Sequence, residues 1–245
     1  MISTLASVQL ELLHPRELRA IVEQRPIAYI PLGTLEWHSE HLPVGLDALT
    51  AHGLCLRAAA IHGGVVLPPL HYGTGGGHGD YPWTIMMPEA GDITRQLDFT
   101  IGKLKSFGIK MVVLFSGHFP PEQLAMIDEL ASKWTQTDFN VMATAVNRIE
   151  GLSLGPDHAG LFETTLLAAM RPDLIHLDRL PPRATAPLAV DEDDFGTQRH
   201  NPNHPIWGVF GPDPRKFDVT RAQPLLDSSV AWLVQQVRAK FEGLR

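Results

Sequence analysis

The sequence predicts an α/β protein with a largely parallel central sheet and helices on both of its faces. Short β-branched or apolar runs alternate along the chain with longer segments whose apolar residues recur at three and four positions. That βαβα order is the one that builds parallel sheets. A length of 245 residues, with 44% apolar and 19% charged content, is enough to bury one large core, so a single domain over residues 1–245 is expected.

Taken in order, residues 15–23 read as a short helix with Pro15 in the first turn, where a missing N–H costs nothing, and residues 27–32 as the first strand. Asp47 reads as an acidic N-cap for a helix that stops at Gly63 and Gly64, with a strand at 65–67 behind it. Residues 70–88, rich in glycine and aromatic side chains, read as loop. A helix over 92–107 stops at Gly108, and strand, helix and strand follow at 111–115, 121–134 and 141–146. The next helix begins near Gly160 and runs through FETTLLAAM until Pro172 ends it. Residues 181–216 are crowded with proline and carry DEDD at 191–194; they read as a surface excursion, the acidic run being a solvated face. An amphipathic helix over 224–241 closes the chain.

Charge and composition exclude several classes. With 27 acidic against 20 basic residues, the chain offers no general attraction to nucleic acid or to an anionic membrane surface. Cys55 is the only cysteine, which excludes an intrachain disulfide framework and a thiolate-rich zinc module. The first twenty residues lack a basic region ahead of an apolar run, and no window is long enough to span a bilayer, so a cytoplasmic protein is expected.

The chemistry concentrates in LGTLEWHSEHLPVGLD, residues 32–47, which holds Glu36, His38, Glu40, His41 and Asp47 with no lysine or arginine. Ligands of a parallel sheet bind at the carboxyl ends of its strands. Glu36 and His38 lie just past the first strand, His118 just past the strand at 111–115, and Asp47 and Glu163 in the opening turns of helices. Carboxylates mixed with imidazoles, without thiolates, suit zinc, manganese or iron. Three carboxylates and one hydroxide balance two divalent cations better than one.

Each residue alone has a plainer reading. Asp47 serves as a cap, Glu163 as an acid favoured near a helix N-terminus, and a lone His38 or His118 as hydrogen-bonded structure. Convergence of all five on one sheet edge is what favours a metal. His14, His62, His176, His200 and His204 lack that convergence and read as surface or structural. GTGGGHG at 73–79 is neither a dinucleotide fingerprint nor a P-loop, HSEH at 38–41 is not HExxH, and no GxSxG elbow occurs.

Glu36, His38, His41, Leu42, Pro43 and Asp47 resemble the GS-x-E-x-H-G-x-H-L-P-x-x-x-D signature of the creatininase (creatinine amidohydrolase) family. YGTGGGHGDYPWT at 72–84, SGH at 116–118, HAGLFET at 158–164 and GVFGPDPR at 208–215 are similar to further family segments in the same order. The resemblance implies a three-layer α/β sandwich, a dinuclear site for two divalent ions (zinc, manganese or iron) and a homohexamer. It also implies hydrolysis of a C–N bond in a small cyclic amide, linear amide or formamide by a metal-activated hydroxide.

Carried over by position, Glu36 and His118 would be terminal ligands of one ion, His38 a ligand of the other, and Asp47 the bridge. Glu163 would complete the second site, because Pro120 stands where creatininase has a glutamate; Glu122 is the alternative. His158 and Glu163 are the candidate catalytic side chains, His158 as general acid/base with Asp157 to orient it. Trp37, Tyr72, His78, Trp83 and Phe119 are candidates for the pocket wall. Gly75 and Gly77 replace the family's serine and glutamate there, which argues against creatinine itself as substrate. A metallopeptidase or C–C hydrolase on the same scaffold, and a non-catalytic ligand-binding relative, are the alternatives.

Overall fold

The computed structural model describes residues 5–188 and 198–244. Six strands and six α-helices follow one another along them. The strands are β1 (Ile27–Leu32), β2 (Val65–Val66), β3 (Gly73–Thr74), β4 (Met86–Met87), β5 (Met111–Ser116) and β6 (Asn140–Ala145). The helices are α1 (Pro15–Gln24), α2 (Leu46–His62), α3 (Gly91–Ser106), α4 (Pro121–Trp134), α5 (Leu161–Met170) and α6 (Ala222–Glu242). The central sheet runs β2-β1-β5-β6 with every pair parallel.

The two-residue period of a strand sorts its side chains into two layers. Ile27 and Tyr29 of β1, with Met111, Val113 and Phe115 of β5, pack against α2, α5 and α6. The intervening Ala28, Ile30, Leu32, Val112 and Leu114 pack against α3 and α4, with Leu18 and Val22 of α1 beside them. Both faces are therefore covered, which is why β1 and β5 are buried at every position and read as unbroken apolar runs. The result is the α/β/α sandwich expected.

Three readings of the sequence change. Residues 70–88 are not all loop: β3 and β4 pair in parallel, Gly73 opposite Met86 and Thr74 opposite Met87. Gly45, not Asp47, is the N-cap of α2, and Asp47 lies inside the first turn. The surface excursion is also half interior. Ile206 and Val209 are buried in a third cluster with Leu42, Leu46, Ala159, Leu167 and Leu180, so this segment folds over the site edge of the sheet. A few apolar residues spread among prolines give no periodicity from which to read that burial. DEDD at 191–194 lies outside the described residues.

The start of α2 is wedged between the ends of β1 and β5. Gly33 follows β1 and Gly117 follows β5; a Cβ on Gly33 would collide with Ala48 N and one on Gly117 with the Asp47 carbonyl oxygen. Only a bare backbone lets both strand ends approach the first turn of α2 so closely. Gly117→Ala should cost about 1–3 kcal/mol through overpacking, whereas Gly155→Ala, whose added Cβ meets nothing, should stay within about 0.5 kcal/mol of the parent. Urea unfolding of the two variants checks this; coincident midpoints would contradict the wedge.

Candidate metal centre

In strand order β2-β1-β5-β6 the chain leaves β1 towards β2 on one side and leaves β5 towards β6 on the other. Between β1 and β5 the connections diverge and a crevice opens at the carboxyl edge of the sheet. Glu36 and His38 enter it on the loop after β1, His118 on the loop after β5, Asp47 from the first turn of α2 and Glu163 from the first turn of α5. None of the five is more than 5% exposed.

Their polar atoms form two triads with one shared member: Glu36, Asp47 and His118 in one, His38, Asp47 and Glu163 in the other. His118 Nδ1 lies 3.1 Å from Glu36 Oε2 and 3.2 Å from Asp47 Oδ2. His38 Nε2 lies 3.3 Å from Asp47 Oδ1 and 3.5 Å from Glu163 Oε2. The two oxygens of Asp47 thus face different histidines. His38 Nδ1–H donates to the Glu36 carbonyl at 2.9 Å, which turns Nε2 toward the carboxylates.

These residues fit a divalent metal. His38 Nε2 and Asp47 Oδ2 are buried without a hydrogen-bond partner, although each faces oppositely charged chemistry. Donors about 2.0–2.2 Å from one tetrahedral ion stand roughly 3.4 Å from each other. The separations of 3.1 to 3.5 Å fall around that value: the two at His118 also suit hydrogen bonds, while the two at His38, 3.3 and 3.5 Å, are long for them.

Electrostatics agree. Burial, the largest influence on every group here, opposes charge. Against it, Asp47 is held at about 2 by His38 and His118, and the His158, His118 and His78 imidazoles hold Glu36 well below the usual carboxylate range. Neighbouring carboxylates push both His38 and His118 up to about 10. Glu163 stays well above its ordinary value because burial, helped by Asp47 and Asp157, outweighs His38. Protons on two imidazoles neutralise this cluster where cations would otherwise do so.

Around the five lies a cavity of about 330 Å³, lined in part by His78, Phe119, Glu122, Asp157, His158, Arg199 and Phe210. His158 Nε2–H donates to the Trp37 carbonyl at 3.0 Å, leaving Nδ1 3.9 Å from Glu36 Oε1. Burial pushes His158 down to about 3, so the ring is neutral. Asp157 does not orient it. Its carboxylate accepts N–H bonds from Phe162 at 2.8 Å and Glu163 at 3.2 Å and so caps α5. That cap sets the first turn carrying Glu163, whose Oε2 also accepts from Ala159 N at 2.6 Å. Ala159 holds φ 52 and Ser39 φ 57, left-handed positions next to His158 and His38 that cost about 1–2 kcal/mol each.

The other candidates divide. His78 and Phe119 line the cavity; Trp37 and Trp83 do not. Trp83 is 79% exposed and Tyr72 50%, while the Trp37 indole donates to the Trp207 carbonyl. Glu122 belongs to neither triad, and its Oε2 accepts from Gly76 N–H at 3.3 Å. His41 sits behind the cluster on Thr164 Oγ1, at 3.1 Å.

Sequence reasoning missed Arg199. Its Nε and a terminal nitrogen lie 3.3 and 3.2 Å from His78 Nε2, and His78 Nδ1 lies 2.5 Å from Glu36 Oε1. A guanidinium has no acceptor, so His78 Nε2 accepts from Arg199 and Nδ1–H donates to Glu36. Tyr81 stacks on His78 at 4.6 Å, and its hydroxyl donates to the Arg199 carbonyl. No motif marks Arg199, because 121 residues separate it from its partner.

The chain is similar to known proteins over most of its length. The chain is 29% identical over 191 residues to the creatinine amidohydrolase of Pseudomonas putida, covering 67% of this chain and 73% of the relative. It is 30% identical over 189 residues to the mycofactocin precursor peptide peptidase of Mycolicibacterium smegmatis (strain ATCC 700084 / mc(2)155), covering 71% and 68%. A solved structure described as "Creatininase Mn" superposes with a TM-score of 0.74 at 25% identity, over 96% of this chain and 98% of that one. The family model for creatinine amidohydrolase matches residues 11–237, and the chain belongs to the creatininase family.

Proposed function

We propose that the protein is a metal-dependent amidohydrolase that cleaves a C–N bond of a small cyclic amide, linear amide or formamide. The observation that carries this is Asp47, buried between two sets of ligand types with one oxygen toward each. Glu36, Asp47 and His118 would hold one divalent ion and His38, Asp47 and Glu163 a second. A donor set of carboxylates and imidazoles favours zinc, manganese or iron. Such ions, when bound, polarise a carbonyl and make water a nucleophile near neutral pH. A cavity of about 330 Å³ favours a small substrate.

The rest of the chemistry falls to the chain itself. In hydrolysis the water oxygen joins the carbonyl carbon, the C–N bond breaks, and the departing nitrogen takes a proton. His158 Nδ1, the bare nitrogen of a neutral ring whose Nε2–H is spent on Trp37, would take a proton from the attacking water and pass it to the departing nitrogen. Asp157 keeps Glu163 in place through α5. Phe119, Pro120, Pro121 and Phe210 wall the cavity and limit water around the reacting carbonyl.

Metal analysis of protein purified without added metal should find two equivalents of divalent ion, and Glu36→Gln and His118→Ala should each hold about one or fewer. Wild-type content near zero, or variants that keep both ions, would end the reading. His158→Asn should retain the metal while lowering kcat by about 10²–10⁴-fold; an unchanged kcat removes His158 from proton transfer.

A pH series gives a further check. His38 and His118 rise from 6.5 to about 10 in the metal-free fold. Groups raised in this way stabilise the fold fully below the unfolded value, and that stability is lost as pH climbs through the folded value. Metal-free protein should therefore weaken between pH 7 and about 10, while bound ions replace the protons. The gap in Tm between metal-loaded and chelator-treated protein should widen across that range. A gap independent of pH would count against the cluster as ligand set.

A further inference from the structure

Arg199 points to the class of substrate. Among the described residues that line the cavity it is the sole lysine or arginine, beside five carboxylates: Glu36, Asp47, Glu122, Asp157 and Glu163. Among the described residues no carboxylate lies within ion-pair distance of its guanidinium, which bonds to His78 and also faces the Tyr81 hydroxyl. The group is also held rigidly. Its carbon sits 4.4 Å from the centre of the Phe210 ring, its backbone carbonyl accepts from Tyr81, and His78 takes Nε and one terminal nitrogen. A positive group held in place by a neutral imidazole nitrogen and an aromatic face, half-buried, keeps an N–H edge for another acceptor.

We propose that Arg199 receives a carboxylate of the substrate, so that the amide hydrolysed here belongs to an acidic molecule such as an N-acyl amino acid or a dicarboxylic monoamide. Two hydrogen bonds and one imidazole ring separate the guanidinium from the Glu36 carboxylate. An anionic group on Arg199 would then lie a few bonds from a carbonyl bound over the metal triads. With two divalent ions offsetting Glu36, Asp47, Glu163 and a hydroxide, the centre itself would not repel an anion.

This inference rests on the amidohydrolase reading, and a test without turnover separates the two. Succinic monohydroxamate, which carries a free carboxylate, and its carboxamide analogue share the same metal-binding head; both are titrated calorimetrically into metal-loaded protein. The wild type should bind the carboxylate probe about 10–100-fold more tightly, the scale of one charged hydrogen-bonded pair. Arg199→Gln should bring the two probes within about twofold of each other, and Arg199→Lys should recover only part of the preference, for want of the planar fork. Equal binding of both probes by the wild type overturns the inference, and needs no variant to fold. An equal loss of both in Arg199→Gln also overturns it, since Arg199 would then act only through His78 and Glu36. No binding of either probe to protein shown to carry metal overturns the amidohydrolase reading itself.

Discussion

Three carboxylates, Glu36, Asp47 and Glu163, are buried within a few ångströms of one another, and much of the site edge answers to that constraint. Even after relaxation a buried ion costs several kcal/mol, and like charges in a medium of low dielectric repel further. Uncompensated, such a cluster would unfold its surroundings or stay protonated. The fold brings His38 and His118 against the acids, and in the metal-free state their protons supply the missing charge. Divalent cations, which concentrate more charge at the same point, would answer the same need.

Holding ligands at that density requires backbone as well as side chains. Gly33 and Gly117 let two strand ends close on the first turn of α2, so Asp47 arrives between β1 and β5. Asp157 caps α5, so Glu163 arrives from the opposite side. The strained φ angles at Ser39 and Ala159 sit beside His38 and His158, where backbone direction decides whether an imidazole faces the cluster. Stability is thus spent locally at the loops, while two apolar layers on either side of the sheet hold the whole.

The outer wall follows different rules. Residues after position 197 return over the site edge, burying Ile206 and Val209 and placing Arg199 against His78 and Phe210. His78 links this wall to Glu36, so the pocket and the metal centre share a hydrogen-bonded path. In the facing loop Gly77 has open space where a side chain would stand, whereas a Cβ on Gly75 would collide with Glu122. The chain is similar both to a relative named for creatinine hydrolysis and to one named for peptide cleavage, so the scaffold by itself does not choose the substrate.

Much of this was legible in the one-dimensional chain. β1, β5 and the helices at 15–24, 121–134 and 161–170 could be placed because apolar periodicity, proline starts and glycine stops are local signals. Glu36, His38, Asp47, His118 and Glu163 stood out for a related reason: each follows a strand or opens a helix, and parallel topology sends those positions to one edge. What the chain could not reveal was whatever depends on its return from far away. The burial of Ile206, the cap supplied by Asp157, and the contact between Arg199 and His78 leave no periodic trace, since their partners meet only in three dimensions. The same holds for Trp83, which its motif suggests as a pocket residue and which the backbone at φ 58 leaves in solvent. Sequence determined which ligand types would collect at the rim of the sheet, because secondary structure is set by neighbours. Tertiary structure alone decided which atoms face each other there and what closes over them, because those distances depend on how the layers pack.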